Sequence, residues 1–202
     1  MATATLEAPP HDNPVFEPAG ATTPRRLWTR AEYRRLIADG FLQDGKVELV
    51  NGEIWDKMGQ GRRHTATVTW ILKALATIFG LERLQTQSSL AVSEYGDPEP
   101  DAALLACSLD QYLEEDPALA DMLLVVEASD TTLRADLTAK ARQYGSAGIP
   151  EYWVVDIPNR LLHVFRGPVA DGYAAETVLT LEDEVHPLAA PDATVRVADL
   201  LP

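Results

Sequence analysis

The stretch LLVVEASDTTLRADLTAK, residues 123–140, runs four apolar residues into Glu127 and places a lysine, Lys140, thirteen positions later. A second short apolar run, DAALLA, opens on Asp101. Charges at the ends of buried strands are costly unless something pairs them. If strands 101–106 and 122–128 pair antiparallel, the start of the first lies beside the end of the second, and Asp101 meets Glu127. A parallel pair would leave the two carboxylates about 20 Å apart at about 3.3 Å per residue. The connection between the strands is long enough for either. Two adjacent carboxylates repel unless a cation or a shared proton resolves the conflict. Mg²⁺ suits such a pair, because it takes one or two carboxylates and leaves its other positions to water and phosphate oxygens. It would polarise a phosphate and lower the pKa of a bound water. A nearby lysine would stabilise the charge that develops on the phosphate.

Lys140 sits in a helical pattern. Asp136, Lys140 and Tyr144 fall at i, i+4 and i+8, one stripe beside the apolar stripe of Leu133, Leu137 and Ala141. A helix packed by its apolar stripe would aim Lys140 at the strand end. The same spacing suits an ordinary surface salt bridge between Asp136 and Lys140, and spacing alone leaves both readings open. Glu48 alternates with Val47 and Leu49, the pattern of an exposed hairpin residue. His64 precedes an apolar helical run. With an unperturbed pKa of about 6.5 it suits phosphate contact or proton transfer, or it is a surface residue at a helix start. His163 and His186 lack partners at metal-ligand spacing. Tyr144 and the pair Tyr152–Trp153 read as core packing.

The elements that must hold these residues are legible as a sequence of periods. Thr29 followed by Glu32 forms a capping box before a short helix that stops at Gly40. KVELVNGEIWDKM alternates around Asn51–Gly52, a tight hairpin signal. Residues 68, 71, 72, 75, 76 and 79 make a helical apolar stripe ending at Gly80. Strands are predicted over 82–92, 101–106, 122–128 and 151–157, with a helix over 135–147 and edge strands in the tail. Residues 1–24, rich in Ala, Pro and Thr, read as a mobile arm, and 25–202 as one domain. The layout is mixed α/β or α+β around one sheet.

The order EPD, then LLVVEASDTTLRADLTAKARQYGSAGIPEYWVVD, resembles the Uma-two-type restriction-endonuclease family of the PD-(D/E)XK nuclease superfamily. The resemblance extends to KVELVNGEIWDKM and RRHTATVTWILKAL, and so runs over residues 27–200. It implies a restriction-endonuclease-like core, a mixed central β-sheet flanked by helices, with an N-terminal helix and β-hairpin. Pro100–Asp101 matches the PD element, and Glu127 the second acidic ligand. Ser129 stands where the superfamily motif has its lysine, which implies that Lys140 on the following helix takes over that role. Glu48 matches an acidic residue contributed upstream, and His64 a family histidine. The implied activity is a Mg²⁺-dependent endonuclease, with Mn²⁺ as substitute, acting on nucleic acid and most simply DNA. Its catalytic residues would be Asp101, Glu127, Lys140, Glu48 and His64, with Asp101, Glu127 and Glu48 as metal ligands. A homodimer follows if both strands of a duplex are cut by two symmetric sites.

Composition tempers this. Seventeen Lys and Arg face 31 Asp and Glu, a net charge of −14, whereas duplex binders gather Lys and Arg against phosphates. GRRH (61–64) and TPRR (23–26) are the candidate basic rims. The acidity and the displaced lysine favour an alternative: a catalytically inactive nuclease-like domain serving as a binding or scaffold module. A metal-free hydrolase with paired carboxylates fits less well, since a lysine beside them suits a metal phosphate site better. The single cysteine, Cys107, excludes an internal disulfide and a cysteine zinc cluster. No apolar run approaches the ~20 residues of a membrane span. The first residues lack the layout of a secretory signal, so the expected compartment is the cytoplasm.

Overall fold

The computed structural model describes residues 25–57 and 59–201; the expected N-terminal arm, residues 1–24, lies outside the described residues. Helix α1 (Arg30–Ala38) begins at the predicted capping box, where Thr29 Oγ1 accepts from Glu32 N at 3.2 Å and Glu32 Oε2 from Thr29 N at 3.0 Å. Strands β1 (Val47–Val50) and β2 (Glu53–Asp56) form the predicted hairpin, with φ of 49° at Asn51 and 81° at Gly52. Gly52 is required twice over. Its φ is positive, and a Cβ there would stand 2.7 Å from Leu27 Cβ.

Six strands make the central sheet, in the order β3 (Leu84–Gln85), β4 (Ala102–Leu105), β5 (Met122–Ser129), β6 (Glu151–Asp156), β7 (Leu161–Val169) and β8 (Gly172–Leu179). Only β5 and β6 run parallel; all other neighbours are antiparallel. That one parallel pair needs a crossover. It is made by α3 (Leu133–Ala135), a π-turn (Asp136–Lys140) and α4 (Ala141–Ser146) in unbroken succession. A small ladder of β9 (Glu184–Val185) and β10 (Val195–Arg196) closes the tail.

Alternation along the strands builds two cores. Helix α2 (Arg62–Phe79) lays Val68, Ile71, Leu75 and Phe79 on one face, against Leu104, Leu124, Val126, Trp153 and Val155. The crossover covers the other face, where Ala141 and Tyr144 meet Val125, Tyr152, Val154 and Phe165. The mixed sheet between helices, with its N-terminal helix and hairpin, is the expected architecture. Among the described residues, no helix is long and apolar enough to cross a membrane.

Two boundaries differ from expectation. Residues 82–92 were expected to be a single strand, yet only Leu84 and Gln85 pair with β4. The chain then turns at Gln87, with φ of 47°, and its later backbone bonds go to Pro98 and Pro100 carbonyls instead of a strand ladder. The helix expected over 135–147 starts two residues earlier and contains the π-turn. Hydrophobic periodicity does not register such a local change of pitch.

Candidate active site

The register of β4 and β5 pairs Ala102 with Val126, so Asp101, one step further, stands opposite Glu127 at the end of the strand pair. The antiparallel arrangement is the one observed. Asp101 Oδ2 accepts the Ala128 N–H at 2.8 Å, which ties the carboxylate to the strand that carries Glu127. His64, at the start of α2, places Nε2 3.1 Å from the same oxygen.

The crossover brings the cation. An α-helix drifts between i and i+4 because it winds 3.6 residues per turn. The wider π-turn at Asp136–Lys140 winds more slowly and offsets that drift, so residues 136, 140 and 144 stay stacked toward the sheet. Lys140 is 7% exposed, and its Nζ lies 2.9 Å from Glu127 Oε1, 3.0 Å from Glu48 Oε1 and 3.9 Å from Asp136 Oδ1. The reading of Asp136 and Lys140 as a surface pair is therefore corrected. Asp136 is buried and accepts from Ser129 Oγ at 2.8 Å and Thr132 Oγ1 at 2.5 Å. Ser129, at the motif's usual lysine position, thus fixes the carboxylate beside Lys140.

Glu48 is brought in by the hairpin and is 7% exposed, which removes the exposed-residue reading. Its Oε2 accepts the Glu99 N–H at 3.2 Å. The hairpin is stapled to the crossover, since Asn51 Nδ2 donates to Ala139 O at 2.9 Å and Gln143 Oε1 accepts from Asn51 N at 3.2 Å. All five expected residues, Asp101, Glu127, Lys140, Glu48 and His64, line one cleft of about 890 Å³. His163 lies outside it, with Nδ1 2.8 Å from Glu176 Oε1.

Sequence reasoning missed three contributors. Tyr144, read as core packing, does pack on Tyr152 with ring centroids 4.9 Å apart, but its hydroxyl also donates to Glu127 Oε1 at 3.1 Å. Its place one helical step beyond Lys140 was the available signal. Asp136 completes the anionic cage. Glu99, directly before the PD element, accepts from Lys57 Nζ at 2.6 Å on the cleft wall.

Charge in this cage is unbalanced. Burial pushes the Glu127 carboxyl well above the usual carboxylate range; Lys140 opposes that shift, and the neighbouring Asp136, Asp101 and Glu48 add to it. Asp136 is raised chiefly by burial, against the pull of Lys140 and its two hydroxyl donors. Burial works against charge on Lys140, but Glu127, Glu48 and Asp136 outweigh it and hold the ammonium protonated. Asp101 raises His64, against its partial burial.

The donor set bears on a divalent ion. Among the described residues, no three His, Cys, Asp or Glu side chains converge tightly enough to hold a metal by themselves. Glu48 is committed to Lys140 and the Glu99 N–H. Asp101 Oδ1 and Glu127 Oε2, by contrast, take part in no hydrogen bond among the described residues, and both side chains line the cleft. Two hard carboxylate oxygens beside an open cleft fit Mg²⁺, which keeps most of its positions for water and phosphate.

The chain is similar to known proteins in sequence family and in fold. Residues 30–198 match the family Uma2, described as "Putative restriction endonuclease". The fold is similar to the crystal structure of "a putative nuclease" from Anabaena variabilis, with a TM-score of 0.63 at 14% identity, covering 85% of this chain and 96% of that one. No curated protein matches.

Proposed function

The chain belongs to the Uma2 family of restriction-endonuclease-like proteins, and from that premise we propose that it is a metal-dependent endonuclease cutting nucleic-acid phosphodiester bonds. The observation that carries the reading is Lys140, delivered by a π-turn to Glu127 and Glu48 with Asp101 across the strand pair. Asp101 and Glu127 would hold Mg²⁺ or Mn²⁺, and Glu48 enters as the residue that fixes Lys140. The bound metal would polarise the phosphate and lower the pKa of a water. Lys140, the cation of the cluster, faces the negative charge that builds on the phosphate oxygens. His64, hydrogen-bonded to Asp101, is placed to hold or pass a proton at the cleft mouth. DNA is the proposed substrate, a symmetric dimer the proposed assembly and the cytoplasm the proposed compartment.

The test is cleavage of plasmid and oligonucleotides with Mg²⁺, with Mn²⁺ and with chelator, for the parent and Asp101→Asn, with thermal unfolding alongside. The expected result is metal-dependent cutting by the parent alone. Metal at a hundred times its dissociation constant should also stabilise the parent by about 2.7 kcal/mol, and the variant by much less. Absence of both effects sinks the reading and leaves a nuclease-shaped binding module, which the −14 net charge would suit.

A further inference from the structure

We infer that Trp55 is a base-stacking platform, so that the polynucleotide enters the cleft with an unpaired base beside the cutting cluster; this deepens the nuclease reading and rests on it.

The hairpin register pairs Glu48 with Trp55, and directly opposed residues of an antiparallel pair project to the same face. Trp55 therefore stands on the side of the hairpin that delivers Glu48 to Lys140. The alternate residues Val47, Leu49 and Ile54 pack with Tyr33 of α1. Among the described residues Trp55 belongs to none of the three apolar cores, yet it is half-buried in the wall of the cleft. The other tryptophans are accounted for. Trp153 is core, Trp28 packs beside Tyr33 under Arg26, and Trp70 lies under the Lys73 ammonium. The Trp55 ring is also oriented: its Nε1 donates to Glu53 Oε2 at 3.3 Å, and Arg25 holds the other oxygen of Glu53 at 2.8 Å. An oriented aromatic outside the described cores, lining an open acidic cleft, presents what a nucleobase uses for binding without sequence preference.

The net acidity disfavours phosphate contacts from any polynucleotide, so affinity here has to come chiefly from the base. Affinity built on phosphate contacts needs many Lys and Arg, and this chain carries −14 overall. Stacking does not depend on that balance. Bases of an intact duplex are already stacked and paired, so the site fits a single strand, a frayed end or an unpaired junction. A single-stranded polynucleotide is the common chemistry, whether deoxy or ribo.

The experiment measures binding apart from cleavage. Labelled 12-nucleotide single strands and the matching duplexes, deoxy and ribo, are titrated by fluorescence anisotropy with Ca²⁺ and again with chelator. The proteins are the parent, Trp55→Leu and Trp55→Phe, each checked for an unchanged melting temperature. The expected result is tighter binding of single strand than duplex, weakened roughly tenfold in Trp55→Leu and largely kept in Trp55→Phe. The salt dependence should be shallow. Equal or better duplex binding, an unaffected Trp55→Leu, or no binding of any oligonucleotide overturns the inference. If Trp55→Leu loses single-strand binding while the parent cuts nothing with Mg²⁺ or Mn²⁺, the stacking site stands and the nuclease reading falls.

Discussion

Lys140 Nζ lies 2.9 Å from Glu127 Oε1, so a helix-borne ammonium faces the buried carboxylate near the end of β5. The same ammonium reaches Glu48 on the hairpin and faces Asp136 on its own turn. One cation thus joins three elements, and the cage around it stays acidic with Asp101 opposite. That residual negative charge is the physical reason for expecting a divalent cation or bound protons there.

Lys140→Met keeps the apolar stem and removes the ammonium. Breaking a buried pair by taking away one partner costs about 3–5 kcal/mol. In a chain of this size that lowers the melting temperature by on the order of 10 °C. Adding Glu127→Gln to the same chain should recover part of the loss, because it removes one of the stranded charges. Thermal unfolding of parent, single and double variants at neutral pH decides the matter. A single variant that melts with the parent means that Lys140 does not hold the cage together. Cleavage should be absent from both variants.

Tyr144→Phe removes one hydroxyl and leaves the ring contact with Tyr152. A hydrogen bond to a charged group contributes about 1.5–3 kcal/mol, so a melting temperature several degrees lower is expected. The hydroxyl favours the ionised form of Glu127, and its loss should raise that carboxyl further. The acid limb of the cleavage profile should then move to higher pH. An unmoved profile would confine Tyr144 to packing.

His64 gives a pH signature with a definite sign. Its pKa is raised in the folded chain, first by the hydrogen bond to Asp101. The stability it contributes is therefore complete below the ordinary histidine value of about 6.5. It is lost as pH rises through the higher folded value. The difference in melting temperature between the parent and His64→Asn should shrink across that window. In Asp101→Asn, NMR titration should find His64 back near its ordinary value. A His64 that titrates identically in both proteins would show that Asp101 is not the cause.

The sequence carried the topology and the identity of the site better than the reasons for its geometry. Asn51–Gly52, the Thr29–Glu32 box and the α2 stripe are local signals, and each formed the element its chemistry demands. Asp101 and Glu127 meet only if their two short apolar strands pair antiparallel, which the spacing left open and only the family resemblance favoured. Lys140 was ambiguous, since i, i+4 spacing fits a surface pair as well as a buried one. What decides it is the π-turn together with Asn51 binding Ala139 O, a contact across 88 positions. No residue pattern along the chain announces either. The Tyr144 hydroxyl was hidden for a related reason: a tyrosine that fills a core and one that also donates to a carboxylate look the same in sequence.

Gly145 tests whether the crossover's seating sets the site. A Cβ at Gly145 would stand 2.1 Å from Gly172 O and 2.3 Å from Gly172 C, both backbone atoms of β8. Nothing there can rotate away, so Gly145→Ala must lift α4 from the sheet. Overpacking of this kind costs about 1–3 kcal/mol and sometimes more. The same displacement pulls on Tyr144, next in the chain, and on Lys140 one turn earlier, so cleavage should fall further than the fraction of unfolded protein explains. Ser146→Ala is the control: Ser146 is exposed, and among the described residues its hydroxyl bonds only to Gln143 O within the helix. That change should stay within about 0.5 kcal/mol of the parent. Melting curves and cleavage rates measured on the same preparations separate the outcomes, because a Gly145→Ala protein that loses stability but keeps full activity would show that the site does not depend on how closely α4 approaches β8.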